Sequence, residues 1–131
     1  MKDLKKHIIF FFLFIASFVV SQNVSIRVIN KTNKAVDSLR VNGVFVGHLD
    51  RDSTTQTIFY KSMLFDSGNP EFILSSFIEN KNIKSRPYIG WCGTSLENRS
   101  AGEYLCHLRY FESKADTFIR LDVNFSKPKN K

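Results

Sequence analysis

Two stretches near opposite ends of the chain alternate apolar and polar residues with a period of two. Val24-Ser25-Ile26-Arg27-Val28 is one, and Ile119-Arg120-Leu121-Asp122-Val123-Asn124-Phe125 is the other, setting Ile119, Leu121, Val123 and Phe125 on one face. Successive side chains of an extended strand point to opposite sides, so the pattern predicts two half-buried strands. Between them, Leu39-Arg40-Val41-Asn42-Gly43-Val44-Phe45-Val46 holds Asn-Gly between β-branched residues. A type I′ turn needs positive φ at both central positions, which Asn and Gly tolerate, so a hairpin is predicted with Val41 opposite Val44. Further strands are predicted over residues 57–64, 71–78, 83–91 and 103–111. Turn-rich segments separate them, such as Asp66-Ser67-Gly68-Asn69-Pro70, Asn80-Lys81-Asn82 and Asn98-Arg99-Ser100-Ala101-Gly102.

No window sustains an apolar period of about 3.6 residues, the signature of a helix packed on a core. The longest uninterrupted stretches are rich in Phe, Ile, Val and Thr, which suit a pleated surface. The expected fold class is therefore all-β. About eight short strands fit a two-sheet antiparallel sandwich, which covers both apolar faces, with a small barrel as the alternative.

The first residues are a different material. A basic Met1-Lys2-Asp3-Leu4-Lys5-Lys6-His7 precedes the 13-residue apolar run Ile8 to Val20, and Val19-Val20-Ser21 offers a cut before Gln22. A membrane-spanning helix needs about 17–25 apolar residues, so the run reads as a secretory signal peptide. The segment resembles export signals of Gram-negative bacteria. The expected organisation is a signal peptide over 1–21, a β-sandwich domain over 22–126 and a disordered basic tail over 127–131, with the product periplasmic or secreted and not stably inserted in a membrane.

The chain has 131 residues, 19 basic and 12 acidic; without Lys2, Lys5, Lys6 and Asp3 an excess of five positive charges remains. So modest an excess on an exported chain makes nucleic acid an unexpected partner, while an anionic polysaccharide or a membrane surface stays open. A domain of this length buries about two-thirds of its unfolded surface and has little stability to spare.

Ala101-Gly102-Glu103-Tyr104-Leu105-Cys106 resembles the Gly-x-Tyr-x-Cys of strand F in immunoglobulin-like domains, with the strand at 117–125 in the place of strand G. The resemblance implies an immunoglobulin-like topology and a role in adhesion or recognition. The family's inter-sheet disulfide has no counterpart, because the other Cys is Cys92, directly after Trp91.

If the strands around Trp91 and Glu103 form a hairpin with its tip at Arg99, Cys92 faces Cys106, Tyr88 faces Tyr110, and Trp91 faces His107 on the other side. Cys92–Cys106 is then the expected disulfide, stabilising by about 3 kcal/mol in the chain-entropy model. Gly90-Trp91-Cys92-Gly93-Thr94-Ser95 resembles a thioredoxin-like Trp-Cys-Gly-x-Cys, with Ser95 where the second Cys would stand. Asn98, Ser100 and Gly102 interrupt the helix that stabilises such a thiolate, so thiol redox chemistry at Cys92 is the weakest alternative.

Catalysis and metal binding find little support. His48, Cys92, Cys106 and His107 are the only soft ligands after residue 21, and the adjacent Cys106 and His107 point to opposite faces of a strand. Asp50-Arg51-Asp52 reads as a solvated turn. No nucleophile motif or phosphate loop is present, and the expectation is a non-enzymatic protein without cofactor. Binding is the better class. Aromatic residues sit beside basic ones at Arg86-Pro87-Tyr88 and Arg109-Tyr110-Phe111, and Arg86, Tyr88, Trp91, His107, Arg109 and Tyr110 form the candidate surface for a protein or glycan of the cell envelope. Alternation also places Tyr88, Tyr104 and Tyr110 on the face carrying the cysteines, where they would be core instead. Asn23, Asn30, Asn98 and Asn124 each begin an Asn-x-Ser/Thr triplet.

Overall fold

The computed structural model describes residues 23–86 and 95–124. These residues form strands and connecting turns, with no helix among them: β1 (Val24–Asn30), β2 (Val36–Val41), β3 (Val44–Leu49), β4 (Ile58–Tyr60), β5 (Met63–Asp66), β6 (Asn69–Pro70), β7 (Leu74–Ile78), β8 (Lys81–Lys84), β9 (Leu96–Arg99), β10 (Gly102–Glu112) and β11 (Thr117–Val123). The first sheet has the order β11-β10-β1-β4, the second β3-β2-β7-β8, and a three-stranded sheet the order β6-β5-β9. The fold is all-β and consistent with a two-sheet sandwich.

Alternation along the strands builds the core. Val24, Ile26 and Val28 of β1 are fully buried, as are Leu108 and Ile119 from the neighbouring strands, and they share one cluster with Val36, Leu39, Val41, Leu74 and Ile78 of the second sheet. Each such side chain contributes about 1.5–3 kcal/mol by leaving water. Tyr60 crosses between sheets, its hydroxyl donating to the Val41 carbonyl at 2.6 Å, and burial pushes that phenol up to about 12. The third sheet is tied on through Phe65, whose ring lies 5.3 Å from that of Tyr104 and under the Arg99 guanidinium at 4.4 Å.

The Asn42-Gly43 hairpin forms as expected: Val41 faces Val44, with φ of 46° at Asn42 and 82° at Gly43. The predicted strand over 57–64 is instead two, because the chain leaves the first sheet at Lys61-Ser62 and enters the third as β5. The turn expected at Asn80-Lys81-Asn82 sits at Glu79-Asn80, with β8 starting at Lys81.

The hairpin with its tip at Arg99 does not form. β9 pairs with β5, Met63 opposite Arg99 and Phe65 opposite Glu97. β10 has both edges taken, by β1 in parallel and by β11 antiparallel, so Cys106 lies opposite Val28 on one side and Val123 on the other. The register that set Cys92 against Cys106 therefore falls, because a longer-range parallel pairing won the edge of β10. Cys106 is a free, buried thiol, pushed up to about 12 by burial. Cys92, Tyr88 and Trp91 lie outside the described residues, as do the expected signal peptide over 1–21 and the basic tail over 127–131.

One buried polar side chain organises the end of the core. Asn30 is fully buried, its amide nitrogen donating to the carbonyls of Lys34, Leu49 and Asp50 at 2.7, 2.9 and 3.2 Å. Its Oδ1 accepts from the Thr32 N–H and hydroxyl at 3.0 and 2.7 Å. Asn30 and Thr32 of the Asn30-Lys31-Thr32 triplet are thus a buried structural pair, while Lys31 is exposed.

Candidate functional site

β10 and β11 carry the features that point outward from the first sheet. Cys106 and Leu108 of β10 are buried, so the alternate residues Glu103, Leu105, His107, Arg109 and Phe111 form the outer face. The β10–β11 register then sets Phe111 opposite Phe118, Arg109 opposite Arg120 and His107 opposite Asp122. A four-residue turn fixes this register, with the Ser113 N–H donating to the Asp116 carbonyl at 2.8 Å.

The outward side chains form a stacked row. Phe111 and Phe118 lie parallel at 4.9 Å with 12° between their planes. The Arg86 guanidinium covers the Phe118 ring at 3.9 Å, and the Arg120 guanidinium covers Phe111 at 4.8 Å. Asp116 pairs with Arg86 at 2.9 Å, while Asp122 is shared, its Oδ2 accepting from Arg109 at 3.0 Å and its Oδ1 from Arg120 at 2.6 Å. The side chains of Arg86, Arg120 and Arg109 remain 61%, 57% and 49% exposed.

This arrangement dictates what the row can bind. The faces of both rings are occupied by guanidinium groups or by each other, so a sugar ring finds no free aromatic face there. A guanidinium stacked face-on keeps its in-plane N–H donors directed sideways, where they suit a carboxylate, sulfate or phosphate. Arg109 and Arg120 stand directly opposite one another on neighbouring strands, a like-charge pair that is ordinarily unfavourable, and one carboxylate serves both. Among the described residues, Asp122 is the one carboxylate that the pair shares, which leaves an excess of one positive charge there. The face continues along β10 into a shallow groove lined by Ser25, Arg27, Thr57, Glu103, Leu105 and Asn124.

Of the residues singled out by sequence, Arg86, His107 and Arg109 come together on this face. Tyr110 does not: it points inward, packs against the core, and meets the Lys34 ammonium at 5.1 Å on its ring. Tyr104 likewise packs on the core. Phe111, Phe118, Arg120 and Asp122 were not singled out, although the alternation of β11 already put Arg120 and Asp122 opposite the Ile119 and Leu121 face; finding the row required the β10–β11 register. Among the described residues no three His, Cys, Asp or Glu side chains converge on a metal position. His48 is gripped by two carboxylates, Asp37 on Nδ1 and Asp50 on Nε2, which hold its ring charged to higher pH than usual. No protein-family model, curated protein or solved structure matches the chain.

Proposed function

We propose that the protein is a small exported binding module, an immunoglobulin-like β-sandwich without catalytic activity, whose first-sheet outer face holds anionic groups of a cell-envelope polymer such as an acidic polysaccharide. The observation that carries the reading is the Arg109 and Arg120 pair, both held by a single shared carboxylate, with Arg120 also stacked on Phe111. A pair held this way is preorganised, so binding an anion costs little further side-chain entropy. The basic n-region and apolar run before Gln22 support export.

Calorimetric titration with dextran sulfate over a salt series tests this. Affinity falls as salt rises, and Arg109→Gln with Arg120→Gln weakens binding by about tenfold or more at low salt, as loss of charge-assisted hydrogen bonds requires. No binding at low salt, or an unchanged affinity in the double variant, overturns the proposal.

A further inference from the structure

The molecule has a second concavity at the other edge of the first sheet, beyond the shallow groove and sharing Thr57 with it. β3 ends the second sheet and β4 ends the first, and a cleft of about 710 Å³ opens where these strands and the connecting residues 50–57 meet. Its size falls within the range of about 300–1,000 Å³ that small-molecule sites occupy. Phe45 and Phe59 both line it and remain 58% and 64% exposed.

Neither wall is suited to pairing with an added strand. β3 changes register between Leu39–Gly47 and Arg40–Phe45, which makes Val46 a bulge, and Gly47 takes φ of 94°. On the other wall β4 is only three residues long. Bulged and very short edges are poor templates for backbone pairing. Recognition in this cleft therefore falls to its side chains.

Those side chains combine exposed phenyl rings with fixed and flexible polar groups. Arg40 lies 5.1 Å from the Phe45 ring on one side, and Phe59 makes no ring stack among the described residues. Asp50 Oδ1 engages His48 Nε2 at 2.9 Å, which orients the carboxylate and leaves Oδ2 to accept another donor. Thr54, Gln56 and Thr57 add hydroxyl and amide groups. His48 and Asp50 are the only ionisable residues of the lining, and Asp37 stands behind His48, so the cleft has no cationic surplus for an anion.

We infer that this cleft is a subsite for a neutral sugar, whose C–H face lies against Phe59 or Phe45 while its hydroxyls bond Asp50, Gln56 and the threonines. It lies by β4, at the opposite edge of the first sheet from the β10–β11 row, and differs from the row in charge preference, so it stands or falls independently of that row.

The test is an amide chemical-shift titration of the full protein with three neutral probes, cellohexaose, maltohexaose and chitohexaose. Saturable shifts confined to residues 44–50 and 53–59 are expected with at least one of them. Phe59→Ala weakens that binding by about tenfold, as removal of a central aromatic contact does. Phe77→Ala, which removes a 44% exposed ring elsewhere, leaves it unchanged. If Phe59→Ala fails to fold, Asp50→Asn, whose side chain is 79% exposed, is read for the same loss. Arg109→Gln with Arg120→Gln keeps the neutral-sugar binding, which separates this site from the first. No saturable shift up to about 10 mM of all three probes, a concentration that detects even weak sites, overturns the inference. So do shifts mapping elsewhere, or affinity unchanged when Phe59 or Asp50 is replaced.

Discussion

Replacing Asn30 by Ala removes five hydrogen bonds at one buried position, but its cost is smaller than five bonds suggest. The Lys34 carbonyl keeps the Thr32 hydroxyl at 2.9 Å, and the Asp50 carbonyl keeps the Ser53 N–H and hydroxyl at 3.1 and 2.7 Å. The Leu49 carbonyl and the Thr32 N–H lose the Asn30 partner outright. At about 1–2 kcal/mol for each such group, the loss is about 3 kcal/mol, a large part of the roughly 5–10 kcal/mol that a domain of this size possesses. Asn30→Asp is the sharper variant. It keeps the acceptor for Thr32 and turns an oxygen toward three carbonyls, so the folded state favours the protonated carboxyl and raises its pKa. A carboxyl raised on folding favours the native state below its unfolded value of about 3.9 and loses that contribution as pH rises above it. Asn30→Asp therefore costs more than Asn30→Ala at pH near 7 and recovers part of that cost near pH 4. Urea unfolding followed by circular dichroism at both pH values measures this directly, through the midpoint at constant m. An Asn30→Ala loss below about 1 kcal/mol, or an Asn30→Asp cost that does not change with pH, refutes the reasoning.

Three further outcomes follow from local geometry. Gly102 has φ of 139°, and a Cβ there would stand 2.7 Å from Tyr104 Cε2 and 2.8 Å from its hydroxyl oxygen, so Gly102→Ala destabilises by about 2 kcal/mol and lowers the melting temperature by about 10 °C. The bonds from Asp37 and then Asp50 raise the His48 pKa from its ordinary 6.5, so their favourable contribution is fully present below that value and fades as pH rises through the raised midpoint. An imidazole NMR titration should show the midpoint falling on Asp37→Asn, and an unchanged midpoint contradicts the pairing. Cys106, buried with its thiol pushed up to about 12, should resist alkylation near pH 8 until denaturant is added, whereas rapid labelling of the native protein would contradict its burial.

What could be read in the sequence was what depends on near neighbours. The Asn42-Gly43 turn, the alternation of β1 and β11 and the long strand β10 follow from spacing within a few residues, and these elements stand where expected. The parallel contact of Val24 with Gly102 leaves no local trace, since a pairing across most of the chain is decided by packing of the whole core. That contact, with β11 on the other edge of β10, took the place of the expected hairpin with its tip at Arg99. The break at Lys61-Ser62 was hidden for a related reason: β4 (Ile58–Tyr60) and β5 (Met63–Asp66) are both short, mostly apolar runs that read as one strand, and they part only in the sheet each joins. Arg86 and Arg109 were visible as basic residues beside rings, but their grouping with Phe111, Phe118 and Arg120 depends on a register set by the turn at Ser113–Asp116.

The anionic-ligand claim is tested most directly by watching the guanidinium groups themselves. In a titration with a sulfated oligosaccharide at low salt, the arginine Nε–Hε signals of Arg86, Arg109 and Arg120 should shift together and saturate at one concentration. Shifts confined to Arg40 on the second sheet, or none at any arginine, would contradict the account.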